Sequence, residues 1–196
     1  MSLQTRVTNI LTKPAEEWPT IAGESTDVAT LLRDYAAPLA AIPAVGRWIG
    51  MTAIGVSVPF LGTYRTGLVR GLAGAIVSWV FALAGAWLAA MVVDKLAPTF
   101  QSRSSPIQAL KLVVYAMTPV WVAGVVNLVP ALSPLAIIAA IYAVYLFYLG
   151  LPVLMGTPAD KVMPYMVVSA LVIIVVSVIL GAFAAALTGL GGYGML

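Results

Sequence analysis

Arg47 is the residue of this sequence whose surroundings most suggest chemistry, because it is the only charge deep inside an apolar segment. A charge at the centre of a bilayer costs about 2.5–3.5 kcal/mol on insertion scales, so Arg47 must face a partner, a cavity or the membrane boundary. One interpretation places it in a polar pocket that binds an anionic group such as a lipid phosphate. In the other, Pro38 and Pro43 break the helix and the side chain reaches an interface or backbone carbonyls.

Three further polar side chains are candidates for the same pocket. Asn127 precedes Pro130, where it either caps a turn or bonds across helices. Tyrosines recur at every third position from Tyr142 to Tyr148, and Tyr115 lies near the end of another apolar segment. Such tyrosines either line a channel or bury their rings and give the hydroxyl to a carbonyl or the interface. The candidate polar-pocket or lipid-binding residues are therefore Arg47, Asn127, Tyr115 and Tyr148.

The composition excludes most enzymatic chemistry. The sequence has no Cys and no His, which removes disulfides, thiol nucleophiles, the usual zinc and haem ligands and imidazole acid–base catalysis. It contains no carboxylate pair, no nucleophile–base pair and no Gly-rich phosphate loop. Its ten Lys and Arg residues are scattered and form no basic stripe for nucleic acid. We therefore expect no catalytic residue, cofactor, metal or nucleic-acid partner.

The hydropathy of the chain indicates a membrane protein. It is 62% hydrophobic and 9% charged, whereas soluble domains are about 25% charged. Five apolar segments, each near the ~20 residues that a bilayer requires, predict an all-α bundle of five transmembrane helices. They cover residues 36–58, 69–93, 111–130, 134–155 and 163–188. This domain occupies residues 35–190, between an N-terminal region (1–34) and a short tail (191–196).

The N-terminal region predicts a short amphipathic helix. Leu3, Val7, Ile10 and Leu11 recur at helical spacing until Pro14 ends the pattern. The helix either lies in the headgroup layer, with Trp18 as an interfacial anchor, or packs on the protein's own cytosolic loops.

The distribution of charge predicts the topology. Seven of the ten basic residues, and all seven acids, fall on the side of the N-terminus. The positive-inside rule therefore places the N-terminus in the cytoplasm and the C-terminus outside. Lys95, Arg103, Lys111 and Lys161 form a basic cytoplasmic face. Each cation there contributes about 1 kcal/mol of attraction to anionic headgroups, or serves topology alone.

Small residues repeat at every fourth position of two segments. This spacing keeps them on one helix face, where a partner backbone approaches closely. The faces pack the spans against each other or, in the alternative, form a homodimer. They comprise Gly74, Ser78, Ala82 and Ala86 in the second segment, and Ser177, Gly181 and Ala185 in the fifth.

The Gly150-Leu-Pro152 step predicts a break in the fourth helix. Glycine frees the backbone and proline removes a hydrogen-bond donor, so we expect a hinge at the inner membrane face.

Several ordered motifs resemble the Yip (Ypt/Rab-interacting protein) family, in its short bacterial form, over about residues 35–188. They are Phe60–Arg65, Asp94–Phe100, Ala109–Trp121, Asn127–Leu132, Tyr145–Met155 and Thr157–Lys161. The resemblance implies five spans, a cytosolic N-terminus and an exoplasmic C-terminus. Eukaryotic relatives are associated with Rab GTPases, vesicle trafficking and membrane shaping, and a bacterium lacks that machinery.

These observations predict a multi-pass protein of a bacterial inner membrane. We expect a non-enzymatic module that organises the membrane, interacts with its lipids or recruits an unknown protein partner. The alternative is a small transporter or channel with a polar path around Arg47 and Asn127.

Overall fold

The computed structural model describes residues 1–58, residue 60 and residues 62–189, and these form a bundle of helices. Two ten-residue helices come first, α1 (Leu3–Thr12) and α2 (Pro14–Gly23). The later helices are α3 (Val28–Leu31), α4 (Ala37–Ile49), α5 (Leu68–Leu96), α6 (Pro106–Ala116), α7 (Thr118–Ala123), α8 (Ala136–Met155) and α9 (Ala159–Gly189). Short π turns (Leu32–Ala36, Gly50–Ile54) and 3₁₀ turns (Ala97–Phe100, Gly124–Leu128, Pro130–Leu135) extend or join them. The predicted tail, 191–196, lies outside the described residues.

The prediction of a five-span all-α membrane protein is confirmed. Five helical stretches are long and apolar enough to cross a bilayer: Val28–Ile54, Leu68–Phe100, Pro106–Leu128, Pro130–Met155 and Ala159–Phe183. Large exposed hydrophobic side chains, such as Ile137, Ile141 and Ile174, cover the outer surfaces of the later spans. Such surfaces are stable only against lipid or another apolar partner.

The first span begins earlier than predicted because polar residues extend its helix. Asp27 caps the start: its Oδ1 accepts a hydrogen bond from the Thr30 backbone N–H at 2.8 Å. That bond, reinforced by the Thr30 hydroxyl, holds the pKa of the Asp27 carboxyl below its ordinary value. The helical turns then continue through Arg33 and Asp34, whose side chains pair on the exposed surface. The span therefore starts at Val28 instead of residue 36.

The first span also ends earlier than predicted, because the chain turns into a hairpin. Helical structure stops at Ile54, and Gly55 adopts a φ of 78°, which favours glycine. Strand β1 (Val56–Val58) then pairs antiparallel with β2 (Gly62–Tyr64), with Val56 opposite Tyr64. The predicted continuation of the span to residue 58 is wrong for this reason.

The third span forms the centre of the bundle. Every residue of α6 from Ala109 to Ala116 is buried, Lys111 included, so neighbouring elements enclose this helix on all sides. Helices α5 and α8 pack on α6, and α2 packs on α8. The fifth span contributes least to the interior, since most of its described side chains are exposed.

The predicted break at Gly150–Pro152 is wrong. Helix α8 runs unbroken to Met155 and ends at Gly156, whose φ of 61° is left-handed. Gly150 is buried instead against the N-terminal region: a Cβ there would lie 2.9 Å from the Trp18 ring and 2.5 Å from Leu112 Cδ1. This glycine therefore provides room for a packed indole, and Pro152 is accommodated within the last turn of the helix.

The contact at Gly150 predicts that Gly150→Ala destabilises the protein. The new methyl group must displace Trp18 and Leu112, and such overpacking costs about 1–3 kcal/mol. The matched control is Gly74→Ala in α5, where nothing lies within 4 Å of the added atom. Thermal unfolding in detergent should show a lower Tm for Gly150→Ala and an unchanged or higher Tm for the control. Equal Tm values for both variants would refute the close packing of Trp18.

Candidate functional site

The N-terminal helices dock onto one end of the bundle. Ile10, Trp18 and Ile21 are at most 1% exposed. Pro14 opens α2 immediately after α1, so the two helices turn against each other. Isolated helices of ten residues are marginal in water, so packing must supply their stability. Trp18 is therefore an interior residue and not the interfacial anchor of the first interpretation.

A buried ion cluster joins the two helices. The Arg6 guanidinium forms ion pairs with Glu17 and Glu24, and Asn9 Nδ2 donates to Glu17 Oε2 at 3.0 Å. Arg6 and Glu17 are each 5% exposed. The guanidinium also lies 5.8 Å from the centroid of the Tyr115 ring, within the range of a cation–π contact. The N-terminal region thus brings Arg6 and Glu17 into the interior as a pair, and Glu24 pairs with Arg6 from the surface.

Lys111 links this cluster to the third span. Its Nζ donates to the backbone carbonyls of Ile21 at 2.8 Å and Glu24 at 2.5 Å. Gln108 Nε2 donates to the carbonyl of Ala22 at 3.1 Å. These acceptors lie at the end of α2, where carbonyls lack helical partners and a cation is favourable. Lys111 is 2% exposed, so its predicted place on the basic face is wrong.

Aromatic rings complete the contact between the cluster and the spans. The Tyr115 ring lies 4.5 Å from the Tyr35 ring and 6.4 Å, edge-on, from the Trp18 ring. The hydroxyls of Tyr35 and Thr118 share a hydrogen bond of 2.8 Å. Tyr142 donates its hydroxyl to the carbonyl of Leu11 at 2.7 Å. The third and fourth spans therefore hold the N-terminal helices directly, and the first span packs on Tyr115 through Tyr35.

The structure does not bring the four predicted pocket residues together. Tyr115 belongs to the buried cluster, whereas Arg47 is exposed and makes no hydrogen bond or ion pair within the described part of the chain. Asn127 Oδ1 accepts from Ser133 Oγ at 3.1 Å, across the turn between the third and fourth spans. Tyr148 is exposed and lines a separate hollow of about 220 Å³ beside Pro152.

The other three residues of the predicted basic face lie near the surface at the end that carries α1 and α2. Lys95 and Arg103 are exposed, and the Lys161 side chain is 37% exposed. The Arg103 backbone N–H donates to the carbonyl of Met155 at 2.7 Å. This bond fixes the loop between the second and third spans to the end of α8. Lys161 lies 3.3 Å from Asp160, so one acid offsets part of the charge.

The burial of the two small-residue faces changes along their lengths. Ala86 is buried and Ala82 packs against the core, whereas a Cβ at Gly74 would meet nothing within 4 Å. Ser78 donates its hydroxyl to the carbonyl of Ala75. In α9, Ser177 and Gly181 are exposed, and the side chain of Ala185 lies outside the described part. The second span thus uses part of its face internally, and the homodimer stays a prediction.

Sequence reasoning missed Arg6, Glu17, Glu24 and Gln108. The ion pairs of Arg6 join positions 11 and 18 apart, and Gln108 bonds a carbonyl 86 positions away, so no local spacing indicates these contacts. The available signal was Lys111 itself, a cation between apolar residues that required a buried acceptor. Among the described residues, no group of three or more acids is placed to hold a metal ion.

Comparison with known proteins gives one match. The family model described as Yip1 domain matches residues 8–189, which include all five spans and most of the docked N-terminal region. No curated protein and no solved structure matches the chain.

The ion cluster predicts that Arg6→Gln releases the N-terminal helices. Removal of one partner from a buried ion pair costs about 3–5 kcal/mol, because the Glu17 carboxylate stays buried without its partner. Hydrogen exchange of the amides in residues 3–23 should therefore accelerate by about 100-fold or more. The control is Arg33→Gln, whose partner Asp34 is exposed, and it should leave this exchange unchanged. Unaltered protection in Arg6→Gln would contradict the role of the cluster.

Proposed function

Because the chain belongs to the Yip1 domain family and is a multi-pass membrane protein, we propose that it is a non-enzymatic module that organises its membrane by holding anionic lipids. The lipids would bind around the end of the bundle that carries α1 and α2. The observation that carries this proposal is the arrangement of that end. Its interior holds the ion cluster, and Lys95, Arg103 and Lys161 lie near the surface of the same end.

The distribution of burial supports binding at the periphery over passage through the middle. Side chains of the third span, such as Leu110, Leu112 and Val114, fill the interior of the bundle, and each is at most 1% exposed. Asn127 packs beside Gly46 and Gly50 of the first span, but its side chain bonds Ser133 and not Arg47, which is exposed. A conduit requires polar groups that line one continuous path.

The charge distribution supports an orientation with the N-terminus in the cytoplasm of a bacterium and the spans in its inner membrane. Seven of the ten basic residues belong to the N-terminal region or to the loops and helix ends on its side. The positive-inside rule retains such loops in the cytoplasm. The three surface cations would then face the anionic lipids of the inner leaflet.

This proposal predicts selective binding of anionic lipid. The test titrates phosphatidylglycerol and phosphatidylethanolamine onto the purified protein in detergent and counts bound lipids by native mass spectrometry. The triple variant Lys95→Gln, Arg103→Gln, Lys161→Gln should bind phosphatidylglycerol about fivefold more weakly for each cation removed. The control keeps the charges with Lys95→Arg, Arg103→Lys and Lys161→Arg, and should bind as the wild type does. Equal affinity for both lipids in the wild type would refute the proposal.

The proposal also predicts that the protein does not conduct small solutes. Proteoliposomes that contain it should retain entrapped ions, amino acids and sugars as long as protein-free vesicles do. Arg47→Ala should not change the leak rate, since no polar path depends on that residue. A flux that Arg47→Ala abolishes would instead establish the transporter alternative.

A further inference from the structure

The end of the bundle opposite α1 and α2 carries cations without acids. Its basic residues are Arg47, Arg65 and Arg70, and all three are exposed. Every acid of the sequence belongs to the other end or to the N-terminal region: Glu16, Glu17, Glu24, Asp27, Asp34, Asp94 and Asp160. None of the three arginines forms an ion pair in the part of the chain that the structure describes. This end therefore has an uncompensated positive charge.

Apolar side chains surround these arginines. Phe60, at the tip of the hairpin, is fully exposed, and Tyr64 is 60% exposed. Leu68 and Val69, at the start of α5, are 63% and 80% exposed. The exposed apolar surface of the second span therefore includes its first turn and continues onto the hairpin. An apolar patch beside cations is typical of a surface that lies at the boundary between acyl chains and headgroups.

The hairpin has a defined position relative to the spans. Arg65 Nε donates to the carbonyl of Ile54 at 3.3 Å, and the Thr66 N–H donates to the carbonyl of Met51 at 3.1 Å. Trp48 Nε1 donates to the carbonyl of Leu68 at 3.0 Å, which ties the first span to the second. These bonds cross the base of the hairpin and join it to the ends of the first two spans. Phe60 and the three arginines therefore belong to the same end of the bundle.

We propose that this end of the bundle is a phospholipid-binding surface. Phe60 inserts at the acyl boundary, and the guanidinium groups of Arg47, Arg65 and Arg70 bind headgroup phosphates of that leaflet. Arginine suits this partner because its planar guanidinium donates two parallel hydrogen bonds to phosphate oxygens. Arg47 lies seven residues before Ile54, about 10 Å along the helix axis, and its long side chain extends towards the phosphates.

This surface is separate from the lipid contacts of the proposed function, since it lies at the other end of the bundle and in the other leaflet. A second copy of the chain fits the surface less well. Two such ends that faced each other would bring together six arginines with no acid between them, and like charges repel. Lipid phosphate supplies the missing negative charge, so phospholipid is the partner to which the charges are complementary.

The first test measures the depth of the hairpin tip in the membrane. The chain has no Cys, so Phe60→Cys gives a unique site for a nitroxide label. In vesicles of phosphatidylcholine and phosphatidylglycerol, the label should be more accessible to oxygen than to a water-soluble nickel chelate. The control, Thr5→Cys on the exposed side of α1, should show the opposite preference. A Phe60 label in bulk water would overturn the proposal, as would dipolar coupling between two labels, which indicates a second copy.

The second test removes the charges. The triple variant Arg47→Gln, Arg65→Gln, Arg70→Gln should bind phosphatidylglycerol about fivefold more weakly for each arginine removed. The matched triple replacement by Lys keeps the charge but not the paired donors, and should give an intermediate loss. Unchanged phosphatidylglycerol affinity in the Gln variant would overturn the proposal. A loss here with an unaffected Lys95, Arg103, Lys161 variant would refute the proposed function alone.

Discussion

The ion cluster of Arg6, Glu17 and Glu24, with the Lys111 ammonium bound to the carbonyls beside it, is the interaction on which the docking of α1 and α2 depends. Two cations and two carboxylates occupy one end of the helix bundle, with Arg6, Glu17 and Lys111 at most 5% exposed. Charges in such a site are tolerated only when each has a partner, because desolvation costs several kcal/mol per ion. The geometry of α1 and α2 on the third span is therefore strongly constrained. A region that is polar in sequence becomes part of the membrane domain.

The same constraint explains several neighbouring features. Trp18 requires space against α8, and Gly150 provides it. The Tyr115 ring lies between Trp18, Tyr35 and the Arg6 guanidinium, so it joins the apolar core to the ion cluster. The sequence predicted a hinge at Gly150 and Pro152. In the structure Gly150 provides packing space, and Pro152 lies in the last turn of the helix.

The two ends of the bundle differ in how their charge is balanced. One end neutralises its interior charges within the chain and carries both cations and acids at its surface, among them Lys95, Arg103 and Asp160. The other has three arginines, an apolar hairpin tip and no acid. Two chemically different ends suit a protein that contacts both leaflets of a bilayer. The apolar third span between them separates the two surfaces.

Sequence reasoning predicted the spans because lipid imposes a length and a hydropathy on each helix, whatever its neighbours are. It could not predict the end of the first span, which depends on the backbone conformation of Gly55. It also misplaced Lys111, since positive-inside counting treats every cation near a span end as solvated. Its partners, the carbonyls of Ile21 and Glu24, are main-chain atoms that carry no sequence signal.

The central claim, that α1 and α2 are a fixed part of the membrane domain, is tested most directly by one distance measurement. The absence of Cys allows a pair of spin labels at Thr8→Cys and Ala159→Cys, both exposed positions. Double electron–electron resonance in lipid nanodiscs then reports the distribution of distances between α1 and the start of α9. A single narrow distribution is the predicted result. A broad distribution that spans tens of ångströms would show that the N-terminal helices move independently of the spans, and would contradict this account.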